Sequence, residues 1–301
     1  MKDFIRFLLF GNYFYGFCAI GLSIESSLQQ HNSLNSFPYY LIIFIGTVLY
    51  YTYAYVSEPE GGFLNKRSAW YLQYKKQISK SQVSYCFLFL CLLVYLVYTY
   101  WYSLQKGTFL LYFILFLFPC VAVFYYSTDS EPRISPNLRK KGWLKPFVIG
   151  FVWAGVVTLY PILFNSIEIQ SAYSLRLVGI LLFIKNFMYV TMLSIMFDIK
   201  DYATDHNQQL KTFVVRYGLR KTIFYILIPL SLIGLGTFIL YAILQNFPPS
   251  SIFINTLPFI LLIIVAYSMH RRKSILYYLA IIDGLMLVKA ACGIIGISLI
   301  K

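Results

Sequence analysis

Nine stretches of this 301-residue chain are so long and so apolar that a water-soluble fold could not hide them. They lie at 5–24, 38–56, 83–103, 108–126, 146–164, 175–197, 221–244, 251–269 and 275–299, separated by charged or Pro-, Gly- and Asn-rich breaks. Each runs for about 18 to 25 residues, which at about 1.5 Å of rise per residue matches the roughly 30 Å hydrocarbon core of a bilayer. The predicted fold class is therefore all-α: a polytopic membrane protein, one transmembrane domain over 1–301 with nine transmembrane helices. The joins around Lys106 and around Pro248-Pro249 are the tightest. The N-terminal MKDFIRFLLF continues into the first apolar stretch without a small-residue cleavage site, so an uncleaved first span is expected and not a signal peptide.

Composition excludes the other classes. With 59% hydrophobic and only 12% charged residues, the chain cannot clothe a soluble surface. Its net charge of +14 has an explanation other than nucleic acid. If the N-terminus is cytoplasmic, twenty Lys and Arg fall on that side and three, Lys106, Arg176 and Lys301, on the other. That asymmetry predicts an inner- or plasma-membrane protein with its C-terminus on the opposite side and its basic loops against anionic lipid. A nucleic-acid partner would need a basic soluble module, and none is present. The five cysteines sit in apolar stretches without CxxC or zinc spacing, where thiols behave as small hydrophobes.

Chemistry is concentrated where the sixth stretch ends, in IMFDIKDYATDHNQQLKTFVVRYGLRKT, from Ile195 to Thr222. Offsets of three and seven residues turn a helix by about −60° and −20°, so Asp198, Asp201 and Asp205 share one face. Three carboxylates at a membrane boundary repel one another and resist desolvation, which predicts a cation between them. Oxygen-only ligands favour a hard ion such as Mg2+, which also takes substrate phosphates. The plainer alternative is a solvated, charged helix end. Lys211, Arg216, Arg220 and Lys221 follow, beginning about two turns beyond the acids, with Gly218 as a helix stop, and acids followed by bases suit a diphosphate ester.

This arrangement resembles the UbiA superfamily of intramembrane prenyltransferases. Their second aspartate-rich motif has the form DxxDxxxD, followed by Lys-Thr and a Gly-containing turn, and Asp198, Asp201, Asp205, Lys211, Thr212 and Gly218 fall on it. The resemblance implies a UbiA-type bundle with Mg2+ on the three aspartates and a prenyl diphosphate as substrate. It further implies transfer of the prenyl group to a lipophilic acceptor, or its cyclisation. In YYSTDSEPRISPNLRKKGWLK, Tyr125, Tyr126, Ser127, Arg133 and Lys145 match the family's pattern, which makes Arg133 and Lys145 candidate diphosphate ligands beside Lys211 and Arg216. The family's first motif, NxxxDxxxD, is absent: the second stretch ends YYTYAYV from Tyr50 to Val56. Glu58 and Glu60 follow as possible substitute metal ligands or as plain loop acids. Two other classes stay open, a non-catalytic relative that binds a lipid diphosphate or a partner, and a transporter. Acids gathered at one boundary instead of the midplane argue against transport.

Inside the spans, Asn12, Asn165, Lys185, Asn186, Asp283 and Lys289 should face the bundle interior or a wet cavity, because each is costly against lipid. A cross-helix pair of Asp283 with Lys185 is one way to satisfy two of them. His31, His206 and His270 have no spacing for a metal.

Overall fold

The computed structural model describes residues 2–56, 66–125, 142–207, 209–270 and 273–300, and these are helical with no strand among them. In chain order the helices are α1 (Lys2–Phe10), α2 (Tyr13–Gln29), α3 (Phe37–Val56), α4 (Lys66–Gln73), α5 (Lys75–Thr99), α6 (Trp101–Gln105) and α7 (Phe109–Tyr125). They continue with α8 (Lys145–Glu168), α9 (Leu177–Asn207), α10 (Phe213–Tyr217), α11 (Leu219–Leu244), α12 (Pro249–Ser268) and α13 (Ile275–Ser298). A helix covers each of the nine apolar stretches. Six are long and apolar enough to cross a membrane, or seven when α1 and α2, bent by 65° at their junction, are taken as one span. The apolar parts of α3 and α7, Phe37–Tyr53 and Phe109–Tyr125, are shorter. Such helices fit an integral membrane protein.

α2, α8, α9, α11, α12 and α13 form the inner bundle, while α5 lies outside it against α3 with most of its apolar surface facing outward. Close approach depends on glycine at a few positions. A Cβ on Gly155 would stand 2.1 Å from the Phe118 ring, so this glycine admits α7 to the flank of α8.

Three spans contain a π-helical turn, at Gly155–Leu159, Ile223–Leu227 and Tyr278–Ile282. Pro161 and Pro229 stand two residues beyond the first two. Proline deletes one i→i−4 bond and crowds the turn before it, which the wider turn accommodates. The α1–α2 bend has a different cause. Asn12 takes φ 64° there, and Arg67 of α4 donates Nε and Nη2 to the freed Phe10 carbonyl, at 3.3 and 3.1 Å. Counted in the sequence among loop charges, Arg67 is in fact buried; its guanidinium also bonds the Asn12 side chain and the Tyr55 hydroxyl.

Antiparallel connections give the bundle two distinct ends. One gathers the α1–α2 bend, α4, the start of α8, the end of α9 and the start of α13. At the other, Asn165 near the end of α8 bonds Ser33 just past α2, and the Glu168 carboxylate caps α3 by accepting from Ser36 N and Oγ.

Candidate functional site

Asp198 and Asp201 fall within the apolar segment Leu177–Tyr202 of α9, and Asp205 lies beyond it. Asp198 is fully buried, Asp205 nearly so, and Asp201 has a side chain 39% exposed. The expected common face exists, but the three carboxylates have different partners. Asp198 Oδ1 accepts from Lys145 Nζ at 2.7 Å, and Asp201 Oδ1 meets the neighbouring Lys200 Nζ at 3.0 Å. Asp198 Oδ2 and Asp205 Oδ2 are buried with no hydrogen-bond partner. Among the described residues no three His, Cys, Asp or Glu side chains close on one point.

Local backbone structure builds this corner. After α9 the chain folds back, with Leu210 N donating to Asp205 O and Thr212 N to Leu210 O, both at 2.9 Å. Gly142 packs directly on this turn, since a Cβ there would lie 2.7 Å from Thr212 N. That contact brings the start of α8, and so Lys145, to the acids. Thr212, completely buried with a bare hydroxyl, precedes α10, which ends at Gly218 with φ 79° and ψ 162°. Only glycine adopts that conformation without strain, so the expected helix stop is present and has a backbone reason.

Charge follows from this geometry. Burial pushes Asp205, which lies beyond the span, from an ordinary 3.8 up to about 6; the Asp198 and Asp201 charges add to the effect and Lys145 opposes it. Lys145, expected as a ligand for substrate, thus stands among the acids themselves. Lys211 and Arg216 are exposed just beyond, Arg216 over the Tyr217 ring at 5.3 Å. Glu58, Glu60, Arg133, Tyr126 and Ser127 lie outside the described residues.

A second buried charge cluster was not foreseen as such. Glu25 of α2 stands between Lys185 of α9, whose Nζ is 3.1 Å from Oε1, and Lys289 of α13, whose Nζ is 2.6 Å from Oε2. Lys185 also donates to Gln29 Oε1 at 2.8 Å, and Gln29 Nε2 donates to Asn255 Oδ1 of α12 at 3.1 Å. The Tyr241 hydroxyl of α11 closes the set on the Gln29 carbonyl. The suggested Asp283–Lys185 pair is therefore replaced by Glu25–Lys185. Asp283 lies instead near Tyr15 and Arg67, with neither carboxylate oxygen in an aligned hydrogen bond. All six polar residues expected to face inward are buried.

No protein-family model, curated protein or solved structure matches this chain.

Proposed function

We propose that the protein is a UbiA-like membrane prenyltransferase that takes an isoprenoid diphosphate with Mg2+ and transfers its prenyl group to a lipophilic acceptor, or cyclises it. In this reading the nine helical stretches are nine spans of a UbiA-type bundle, and the twenty-to-three charge asymmetry places the N-terminus and the acid end in the cytoplasm. One observation carries the reading: two carboxylate oxygens, on Asp198 and Asp205, are buried with no partner at the end of a membrane helix. A buried bare carboxylate oxygen is costly, and a hard cation satisfies it. Asp198 and Asp205 would hold the ion, with Asp201, now paired to its half-buried neighbour Lys200, as a further ligand. When bound, Mg2+ offsets the negative charge that collects on the diphosphate as its bond to the prenyl carbon breaks. Lys211 and Arg216, with Arg133 and Lys145, attract and orient the diphosphate.

Mass spectrometry of membranes containing the protein, incubated with a panel of prenyl diphosphates and Mg2+, tests the proposal. A prenylated or cyclised product that disappears in Asp198→Asn supports it; no product and no diphosphate binding overturns it.

A specific feature favours a second reading, a non-catalytic protein that binds a lipid diphosphate. Side chains at the end of α3, where the family's first acidic motif would be expected, are committed to packing. The Thr52 hydroxyl accepts from Asn12 Nδ2 at 3.0 Å, and Tyr55 both accepts from Arg67 at 3.0 Å and stacks on Tyr71. Diphosphate binding without any product distinguishes this reading.

A further inference from the structure

At the acid end, the Asp198 oxygens are treated unequally. Oδ1 accepts from Lys145 Nζ at 2.7 Å, and Oδ2 is buried with no hydrogen-bond partner. Asp198, on the long helix α9 and fully buried, has no route away from this position. Lys145 is differently placed: it is the first residue of α8, and its side chain is 22% exposed, so its head group can swing from the carboxylate towards solvent. The same ammonium acts electrostatically on Asp205. Counting Asp198, Asp201 and Asp205 against Lys145 and Lys200, three minus two, the cluster has one negative charge in excess while Lys145 is present and two without it.

We propose that Lys145 is a built-in counter-ion that holds the metal's place at Asp198, so that divalent cation and ammonium compete for the same carboxylate. This rests on the reading of Asp198 and Asp205 as metal ligands and adds a regulatory contact to it: free metal ions bind weakly until the Lys145 head group is drawn off Asp198. Two cations directed at one buried carboxylate repel each other, and each lowers the other's occupancy by the same factor. The inference runs against the simple expectation for a basic residue in a diphosphate site, that its loss can only weaken the site.

The experiment measures Mn2+ binding to the purified protein in detergent, without substrate, from the loss of the free-ion electron paramagnetic resonance signal. Lys145→Met and Lys145→Gln, the latter keeping a hydrogen-bond donor for Asp198, should bind Mn2+ about tenfold or more tightly than the parent, within the usual range of coupling between sites. Lys145→Arg should stay close to the parent, and adding Asp198→Asn to Lys145→Gln should erase the gain. Thermal melting and gel filtration establish which variants are folded. If Lys145→Met and Lys145→Gln bind no tighter while Asp198→Asn still weakens binding, the competition is refuted and the metal site stands. If Mn2+ binding is absent throughout, or indifferent to Asp198→Asn and Asp205→Asn, the metal site itself is refuted and the competition with it.

Discussion

Among the described residues two buried carboxylate–lysine clusters differ in one respect, whether the carboxylate is fully used. Around Glu25 both oxygens meet an ammonium, and the cluster reaches five helices through Lys185, Lys289, Gln29, Asn255 and Tyr241. Around Asp198 one oxygen is paired and one is bare, and the partner lysine has access to water. Removing one member of a closed buried ion cluster leaves uncompensated charge in a low-dielectric interior. An open cluster with a partly exposed partner, the Lys145 side chain being 22% exposed, loses less by the same change, because that partner can turn towards water. The contrast fits Glu25 for holding the bundle together and leaves Asp198 with one oxygen open to a further partner.

The largest expected effect tests that assignment directly. Glu25→Gln strands two buried ammonium groups and should lower unfolding stability in detergent by about 3–5 kcal/mol, whereas Asp198→Asn should cost about 1 kcal/mol or less. Equal losses in a thermal or denaturant titration would erase the distinction. Next in size is Gly293→Ala on α13. The new Cβ would lie 2.4 Å from Glu25 Cγ and 2.6 Å from Oε1, and the overpacking should cost about 1–3 kcal/mol. Gly236→Ala on α11, with nothing within 4 Å, serves as the control and should be neutral or stabilising by up to about 1 kcal/mol.

A smaller effect depends on pH. Burial raises Asp205 from 3.8 to about 6 in the folded state, so its charged form opposes folding above that pH. The metal-free protein should gain stability as pH falls from 7 through 6 towards 4, and Asp205→Asn should remove that part of the gain in a melting series. Smallest of all is Asp201→Asn. The Asp201–Lys200 pair is between sequence neighbours and the carboxylate is 39% exposed, so the change should stay within about 0.5 kcal/mol by the same unfolding assay.

How far the sequence could be read followed from the range of the forces involved. Helix positions were legible because hydrophobic length is a local property, and so was the Gly218 stop, which is a backbone requirement at one residue. The shared face of the three aspartates was legible from helical periodicity. Their unequal partners were not, since Lys145 reaches Asp198 from 53 positions away through a turn that packs on Gly142. Glu25 is hidden for a simple reason: apolar length alone ends the first stretch at residue 24, one position before it, whereas α2 continues to Gln29. A carboxylate one residue inside a span carries the strongest polar signal a membrane sequence can give, and its partners on α9 and α13 had both been noticed as misplaced lysines. Neither lysine revealed its partner, because pairing across helices leaves no periodic trace in the chain.

The distance along the chain between those partners has a consequence for how the protein is made. Glu25 is 160 residues from Lys185 and 264 from Lys289. At a synthesis rate of roughly 5–20 residues per second, a ribosome needs on the order of 13–50 s to deliver the second ammonium after the carboxylate has emerged. Until Lys185 follows, the acid of α2 has no mate in the lipid, and from then until Lys289 arrives it has one ammonium in place of two. The Glu25 cluster is thus completed only when α13 arrives, and a chain truncated before Lys289 would keep Lys185 on Oε1 and leave Oε2 without its ammonium.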